Sequence, residues 1–285
     1  MVTMACGSMD IECAFSAFVV LAEDEPNSYK DAMNSPNAAE WRPACEAEYE
    51  TLLGYHTWNL IERPPNINII GCQWTFRVKR DNLGAVNKFK ARLVAQGFSQ
   101  IEGLNYNETF SPTIRFTTIR LILALACRYN LELRHINIKG AYLNGKLNDD
   151  VYMHQPEGFI SEGQEHLVCK LNKGIYRLKQ SGRAWHRTLK EGLERLGFTS
   201  GKADATVFFK FGQNSIEIAG WYVDDGLLAT DSTELMEKMV EKIGGSFDIQ
   251  DLGEPERLLG IKITCDRKAG TICLSQPAFI DTIAK

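Results

Sequence analysis

Two strongly apolar runs on either side of a pair of aspartates are the feature that most restricts how this sequence can fold. Residues 216–223 are rich in β-branched and aromatic side chains, residues 226–230 are apolar, and Asp224 and Asp225 stand between them. Short β-rich runs that flank a brief polar break are typical of an antiparallel hairpin. The sequence therefore predicts a hairpin that carries two adjacent carboxylates at its tip.

Adjacent carboxylates in such a place favour a divalent cation. Two carboxylates about 4 Å apart repel by about 4 kcal/mol at an effective dielectric of about 20, and a hard cation such as Mg²⁺ or Mn²⁺ removes that repulsion. Phosphoryl transfer needs such a cation with open coordination positions, because it holds a triphosphate and neutralises charge in the transition state. The alternative is an ordinary Asp-Asp turn exposed to water, the commoner meaning of the dipeptide by itself.

Charge is segregated along the chain, although the formal net charge is only −4. Residues 1–62 carry two basic and eleven acidic side chains, residues 69–101 carry six basic and one acidic, and residues 166–190 carry seven basic and none acidic. Local positive charge suits phosphate contacts even in a chain that is acidic overall. The alternative is two solvated surface faces whose charge is balanced elsewhere.

Composition excludes several classes of protein. With 44% hydrophobic and 24% charged residues the chain resembles an average globular protein. Its apolar run over 14–22 is too short for a membrane span and follows acidic rather than basic residues, so neither a membrane partner nor secretion is expected. The eight cysteines form no Cys-x-x-Cys pair, which argues against zinc. We expect an intracellular protein, cytoplasmic or nuclear.

The spacing of apolar residues predicts the main elements. Helical spacing occurs over residues 39–53, 117–129 and 182–196, and strands are expected over 73–80, 88–94 and 131–138. Residues 73–94 should form a hairpin with one apolar and one basic face, because Trp74, Phe76 and Val78 alternate with polar and basic residues. On the helix over 182–196, Arg183, Arg187 and Lys190 share one face.

Several motifs, in order, resemble the reverse transcriptases of copia-type LTR retrotransposons. Tyr222-Val223-Asp224-Asp225 is similar to the polymerase signature of that family. The other similar stretches are residues 58–61, 73–79, 90–98, 108–112, 141–145, 151–159, 178–185 and 247–261, so the resemblance extends from about Pro26 to the last residue. It identifies the chain as a piece of a pol polyprotein of that family.

The resemblance implies an α+β right-hand polymerase fold, with an antiparallel palm sheet, packed helices and a largely missing thumb. The expected order is an N-terminal extension over 1–40, fingers over 41–115 and 148–180, palm over 116–147 and 181–262, and the start of the thumb or connection over 263–285. It also implies an RNA or DNA template with its primer and deoxynucleotides as partners, and Mg²⁺ or Mn²⁺ as cofactor.

Roles for individual residues also follow from the resemblance. Asp224 and Asp225 would be catalytic metal ligands next to Tyr222 in the substrate site. Lys79 and Arg92 would contact the triphosphate, Tyr142 would exclude a 2′-hydroxyl, and Gln180 would lie near the nascent base pair. Arg77, Arg183, Arg187 and Lys190 would face nucleic-acid phosphates. The alternatives are solvated surface charge for the cations and a core aromatic for Tyr142.

One departure from the family pattern bears on activity. The family carries a metal-binding aspartate in a Gln-Met-Asp-Val context where this chain has Asn137. An amide is a neutral and weaker ligand than a carboxylate, so polymerase activity should be impaired. Gly182, where the family usually has proline, is a milder departure. Two hypotheses remain: an impaired RNA-directed DNA polymerase, or a catalytically inactive nucleic-acid-binding remnant of a degenerate retroelement.

Overall fold

The computed structural model describes residues 25–81, 84–213 and 215–283, which form a mixed α/β protein. The helices are α1 (Tyr29–Asn34), α2 (Ala38–Gly54), α3 (Phe116–Tyr129), α4 (Ala141–Asn144), α5 (Ser181–Arg195), α6 (Thr233–Gly244) and α7 (Pro277–Ile283). The strands are β1 (Trp58–Ile61), β2 (Ile69–Ile70), β3 (Cys72–Arg80), β4 (Val86–Ala95), β5 (Glu132–Ile138), β6 (Tyr152–Met153), β7 (Val168–Leu171), β8 (Thr199–Ser200), β9 (Val207–Phe211), β10 (Ile216–Tyr222), β11 (Asp225–Thr230), β12 (Ile249–Asp251), β13 (Arg257–Leu258), β14 (Ile261–Asp266) and β15 (Thr271–Ser275).

Two compact units make up the chain, and each combines two separate stretches of sequence. Among the described residues, the first unit comprises those within 25–105 and 149–178, and the second comprises those within 106–148 and 179–283. Of the N-terminal extension expected over 1–40, residues 1–24 lie outside the described residues. In the described ranges, no helix has the combination of length and hydrophobicity that crossing a bilayer requires.

A six-stranded antiparallel sheet forms the centre of the second unit, in the order β12-β5-β11-β10-β9-β8. Helices α5 and α6 cover one face, where Trp185, Leu189 and Met239 pack with Ile136 and Leu228. Helix α3 and the β13-β14-β15 sheet supply the apolar residues that pack on the other face. Both faces of the sheet are buried by apolar packing over most of its area, so polar side chains on it are exceptions.

In the first unit, β3 and β4 form an antiparallel ribbon with two different faces. Trp41 of α2 packs edge-to-face on Phe76 and Phe89, with ring centroids 5.0 and 4.7 Å apart, so the apolar face is buried. The pairing of Arg77 with Lys90 and of Lys79 with Lys88 puts cations on the opposite face. The predicted amphipathic hairpin is therefore confirmed. A second sheet, in the order β1-β7-β6-β2, completes the strands of this unit.

The predicted helices and strands lie within two residues of the observed elements. The tip of the central hairpin differs in detail from the prediction. Tyr222 pairs with Asp225, so the turn consists of Val223 and Asp224 alone, and Asp225 is already the first residue of β11. Asp224 therefore belongs to the turn, whereas Asp225 belongs to a strand.

Candidate active site

One backbone angle and two hydrogen bonds define the Val223-Asp224 turn. Val223 has φ +57°, a left-handed conformation that is unfavourable for a β-branched residue. The indole Nε1 of Trp185 donates a hydrogen bond of 2.7 Å to the carbonyl of Val223, and the amide of Ile138 donates one of 2.8 Å to the carbonyl of Asp224. The surrounding core thus holds a strained backbone in place, as is common at functional sites.

Asp225 lies in a small polar cluster on the sheet. It is paired across the β5–β11 ladder with Asn137, and His135 is two residues away on the same face of β5. The Nε2 of His135 lies 3.0 Å from Asp225 Oδ1, and the Nδ2 of Asn137 donates to that oxygen over 3.4 Å. Since an ionised carboxylate only accepts hydrogen bonds, His135 is the donor in the first contact. Both neighbours direct a hydrogen at Asp225.

The side chains around Asp225 do not form a set of ligands that fits a site for two divalent ions. The ions of such a site lie about 3.5–4 Å apart and need several anionic oxygens. Here the amide group of Asn137 and the imidazole of His135 both face Asp225 Oδ1, so they compete with a cation for that oxygen. Across the described ranges, no cluster of three or more His, Cys, Asp or Glu side chains has the arrangement of a metal site. Asp224 and Asp225 remain the only carboxylates of the predicted set.

Tyr142 lies close to the turn and to Tyr222. Burial, followed by the charge of Asp224 and by Tyr222, raises the pKa of its phenol above the usual value. It stands in the short helix α4, which follows Gly140 in a left-handed conformation. Tyr222 itself is 37% exposed. The structure therefore brings together five predicted site residues in the second unit: Asn137, Tyr142, Tyr222, Asp224 and Asp225.

The remaining predicted residues of the second unit belong to α5 or directly precede it. Gln180 is 4% exposed and immediately precedes the helix. Arg183 forms an ion pair with Glu108, and Arg187 donates to the carbonyl of Lys146. Lys190 lies 3.7 Å from Glu194, one helical turn on. All three cations thus have protein partners, and the glutamates beside Arg183 and Lys190 reduce the charge that these two can offer to nucleic acid.

Lys79, Arg92 and Arg77 belong to the basic face of the ribbon in the first unit. The guanidinium of Arg92 lies 4.7 Å from the centre of the Tyr176 ring, and its buried Nε has no hydrogen-bond partner within the described chain. Arg77 forms an ion pair of 2.6 Å with Glu25. Burial, followed by the charges of Arg92 and Lys79, lowers the pKa of Lys90. This crowding of cations suits a polyanionic ligand.

Sequence reasoning missed His135 and Lys90. Alternation along β5 contained the signal for His135, because a residue two positions before Asn137 must share its face. Lys90 lies in the same predicted hairpin as Lys79 and Arg92, and only the register showed that it faces Arg77.

The sequence profile of the family described as reverse transcriptase (RNA-dependent DNA polymerase) matches residues 55–285, and the chain belongs to this family. Its curated relatives place it in the copia-type branch. It is 36% identical over 268 residues to the retrovirus-related Pol polyprotein from transposon TNT 1-94 of Nicotiana tabacum, with 93% of this chain and 20% of that protein covered.

A second relative, the retrovirus-related Pol polyprotein from transposon RE1 of Arabidopsis thaliana, is 37% identical over 271 residues, with 94% of this chain and 18% of that protein covered. The chain therefore spans about one fifth of the length of these relatives. Among solved structures, apo telomerase from Candida tropicalis matches with a TM-score of 0.40 and 10% identity over 82% of this chain and 60% of that one. That similarity is too low to support an argument.

Proposed function

We propose that this domain binds a primer–template and deoxynucleotides as an RNA-directed DNA polymerase does, and that its catalytic turnover is strongly impaired. Membership of the reverse transcriptase family supports the reaction class. The adjacent carboxylates beside the strained Val223 and the basic face of the β3–β4 ribbon support it further, because they supply the charges that a polymerase site and a triphosphate site need. In this proposal the first unit corresponds to the fingers and the second to the palm.

The substrate-binding roles fall to residues outside the carboxylate cluster. Lys79 and Arg92 supply positive charge for a triphosphate, since both lie on the cationic face of the ribbon. In this proposal the ring of Tyr142, whose pKa is affected by the charge of Asp224, packs under the sugar and excludes a 2′-hydroxyl. These roles require shape and charge only, so they can persist when turnover is lost.

The contact between Asn137 and Asp225 is the observation that carries the impairment. The amide group of Asn137 donates to Asp225, whereas a carboxylate at this position would add a negative charge facing the same space. Each 1.4 kcal/mol of lost transition-state stabilisation costs about tenfold in rate. Losing one of the charges that balance a triphosphate and two divalent ions corresponds to roughly a thousandfold or more.

The same contact favours a second candidate, a nucleic-acid-binding protein with no polymerase activity. The two candidates share every binding surface and differ only in the chemistry at Asp224 and Asp225. They are therefore separated by a measurement of turnover together with a measurement of metal affinity.

The test compares the parent with Asn137→Asp. Mn²⁺ binding is followed by electron paramagnetic resonance, and primer extension is measured on an RNA template with Mg²⁺ or Mn²⁺. Asn137→Asp should bind Mn²⁺ at least tenfold more tightly, because it adds a carboxylate opposite Asp225. Asn59→Asp is the matched control, since it makes the same change at an exposed position of β1 in the first unit.

Rapid extension by the parent would contradict the impairment. Extension by Asn137→Asp alone would support the polymerase assignment. If both proteins bind the primer–template and neither extends it, the inactive binding protein is the better description. Failure of the parent to bind any primer–template at low salt would contradict both candidates.

A further inference from the structure

A loop of the first unit, residues 97–105, displays three large apolar side chains to solvent. They are Phe98, Ile101 and Leu104, with exposed fractions of 81%, 51% and 53%. Phe98 is the most exposed large apolar residue of the described chain. Placing a phenyl ring in water gives up about 1.5–3 kcal/mol of burial free energy, so three exposed apolar side chains grouped on one short loop indicate a contact surface.

The loop is held in one conformation by internal hydrogen bonds. Asn105 is 2% exposed, and its Oδ1 accepts from the amide of Ile101 at 3.0 Å and from Nδ2 of Asn68 at 2.7 Å. Ser99 donates to the carbonyl of Gln96 at 2.7 Å. The exposure of Phe98 is thus a property of a defined backbone, which presents the ring without the entropic cost of ordering a flexible segment.

Arg177 lies directly beside this loop. A Cβ placed on Gly97 would approach the carbonyl oxygen of Arg177 to 2.1 Å, so the two backbones are in contact and only glycine fits. Arg177 has φ +62°, and its exposed guanidinium makes no hydrogen bond or ion pair within the part of the chain that the structure describes. The guanidinium of Arg92 lies over the ring of the preceding residue, Tyr176. Two aromatic residues, Phe98 and Tyr176, and two arginines, Arg92 and Arg177, are therefore grouped near the end of β4.

We propose that Phe98 and Arg177 bind an unpaired nucleotide of the template strand, with the base stacked on the phenyl ring and a phosphate on the guanidinium. Exposed aromatic rings next to cations are the usual means of holding single-stranded nucleic acid without sequence preference. Charge argues for this occupant over an apolar protein surface, because residues 69–101 of the same unit, which lead into this loop, carry six basic and one acidic side chain. The inference rests on the proposed function and names the part of the template that this surface contacts.

The experiment uses two RNA–DNA primer–templates with the same duplex, one blunt and one with a six-nucleotide 5′ extension of the template. The first unpaired base of the extension is 2-aminopurine, whose fluorescence falls when it stacks. The parent chain should bind the extended substrate about tenfold more tightly than the blunt one, and the probe should be quenched. This factor is that expected for a single stacked base.

Four substitutions separate stacking from other effects. Phe98→Ala should abolish the preference for the extension and the quenching, and Phe98→Leu should do the same because it keeps an apolar side chain without an aromatic face. Phe98→Tyr should retain both. Arg177→Gln should lower the slope of log K against log salt by about one for the extended substrate only. Phe211→Ala, at a 67% exposed ring on β9, is the matched control and should behave as the parent.

Unchanged binding and quenching in Phe98→Ala would overturn the inference, while parental binding to both substrates would leave the proposed function intact. A change of oligomeric state in Phe98→Ala, seen by light scattering with unaltered affinity for the extension, would also overturn it and assign the ring to a protein contact. If the parent binds neither substrate, the proposed function fails together with the inference. Because Phe98 is exposed, all variants should keep the thermal midpoint of the parent.

Discussion

At the scale of single residues, the adjacent aspartates differ in what holds them. The side chain of Asp225 accepts from His135 and Asn137, whereas that of Asp224 has no hydrogen-bond partner within the described residues. A carboxylate that accepts hydrogen bonds stabilises the folded state, whereas one that accepts none contributes mainly its negative charge. Substitution of Asp224 and substitution of Asp225 should therefore change the free energy of unfolding in opposite directions.

We expect Asp224→Asn to leave the free energy of unfolding unchanged or to raise it slightly, since it relieves repulsion with Asp225. We expect Asp225→Asn to lower that free energy by about 1 kcal/mol, because a charge-assisted hydrogen bond from His135 is replaced by a neutral one. Urea unfolding of the two variants without divalent ions measures both effects. A strongly destabilised Asp224→Asn protein would show that this aspartate is structural.

Returning positions 135 and 137 to the family pattern should have a larger effect than Asn137→Asp alone. In the single variant, His135 still donates to Asp225 and competes with a cation for the same oxygen. The double variant His135→Gln, Asn137→Asp should therefore bind Mn²⁺ more tightly than Asn137→Asp, as measured by electron paramagnetic resonance. Equal affinities in the two proteins would show that His135 does not compete.

At the scale of elements, Asp204 acts as a remote cap for α3. Its Oδ2 accepts from the amide of Arg115 and from the hydroxyl of Thr118, and its Oδ1 accepts from Thr206. Although burial raises the pKa of Asp204, these hydrogen bonds outweigh burial and hold the pKa below its ordinary value. The helix thus begins where a residue 89 positions away in the sequence supplies the acceptor.

We expect Asp204→Asn to cost about 2 kcal/mol at neutral pH. A depressed carboxyl pKa stabilises the folded state fully above its unfolded value, and the contribution is lost as pH falls through the folded value. The difference in unfolding free energy between the parent and Asp204→Asn should therefore shrink from about pH 5 downward. Denaturant unfolding at a series of pH values measures this, and a pH-independent difference would contradict the role of the charge.

The β10–β11 hairpin also depends on a glycine next to the carboxylates. A Cβ on Gly226 would lie 2.6 Å from the ring of Trp221 and 3.1 Å from Ile136. We expect Gly226→Ala to destabilise the protein by about 1–3 kcal/mol, because a fully buried indole must move. Gly54→Ala is the control, since nothing lies within 4 Å of a Cβ there, and its thermal midpoint should equal or exceed that of the parent.

At the scale of the whole molecule, function depends on the distribution of charge rather than on its sum. The chain has a formal net charge of −4, yet one face of the β3–β4 ribbon bears five cations: Arg77, Lys79, Lys88, Lys90 and Arg92. In the proposed function, such a face attracts nucleic acid through counterion release, which would make the affinity fall with salt. Acidic residues more than about 10 Å from this face have little effect on it at 0.1 M salt, whereas Glu25, 2.6 Å from Arg77, offsets part of its charge.

Charge reversal of Arg77, Lys79 and Arg92 together should weaken primer–template binding for all sequences alike and reduce the salt slope. A matched control reverses three exposed cations of the second unit, Arg120, Arg128 and Lys268. Fluorescence anisotropy at several salt concentrations measures both proteins. Equal losses in the two would show that only net charge matters, and no loss in the first would contradict the role of the ribbon.

The sequence by itself determined three helices, the strand over 131–138, the amphipathic ribbon and the position of the central hairpin, but not the remaining helices and strands. These follow from apolar spacing over a few residues, and such spacing depends on local backbone geometry alone. The sequence also indicated that Asn137 stands where the family pattern has an aspartate, because the surrounding motifs fix the alignment at this position. The grouping of Asn137, Tyr142 and Asp224 was expected only through the family resemblance.

Tertiary structure alone decided what each of these residues touches. The register that sets Asp225 opposite Asn137 joins strands about 90 residues apart, and it brought in His135, which no local pattern marks as a partner of Asp225. The hydrogen bond from Trp185 to Val223 likewise spans 38 residues and explains how a strained turn persists. Strand register and core packing minimise the free energy of the whole chain, so contacts between distant residues cannot be deduced from local sequence patterns.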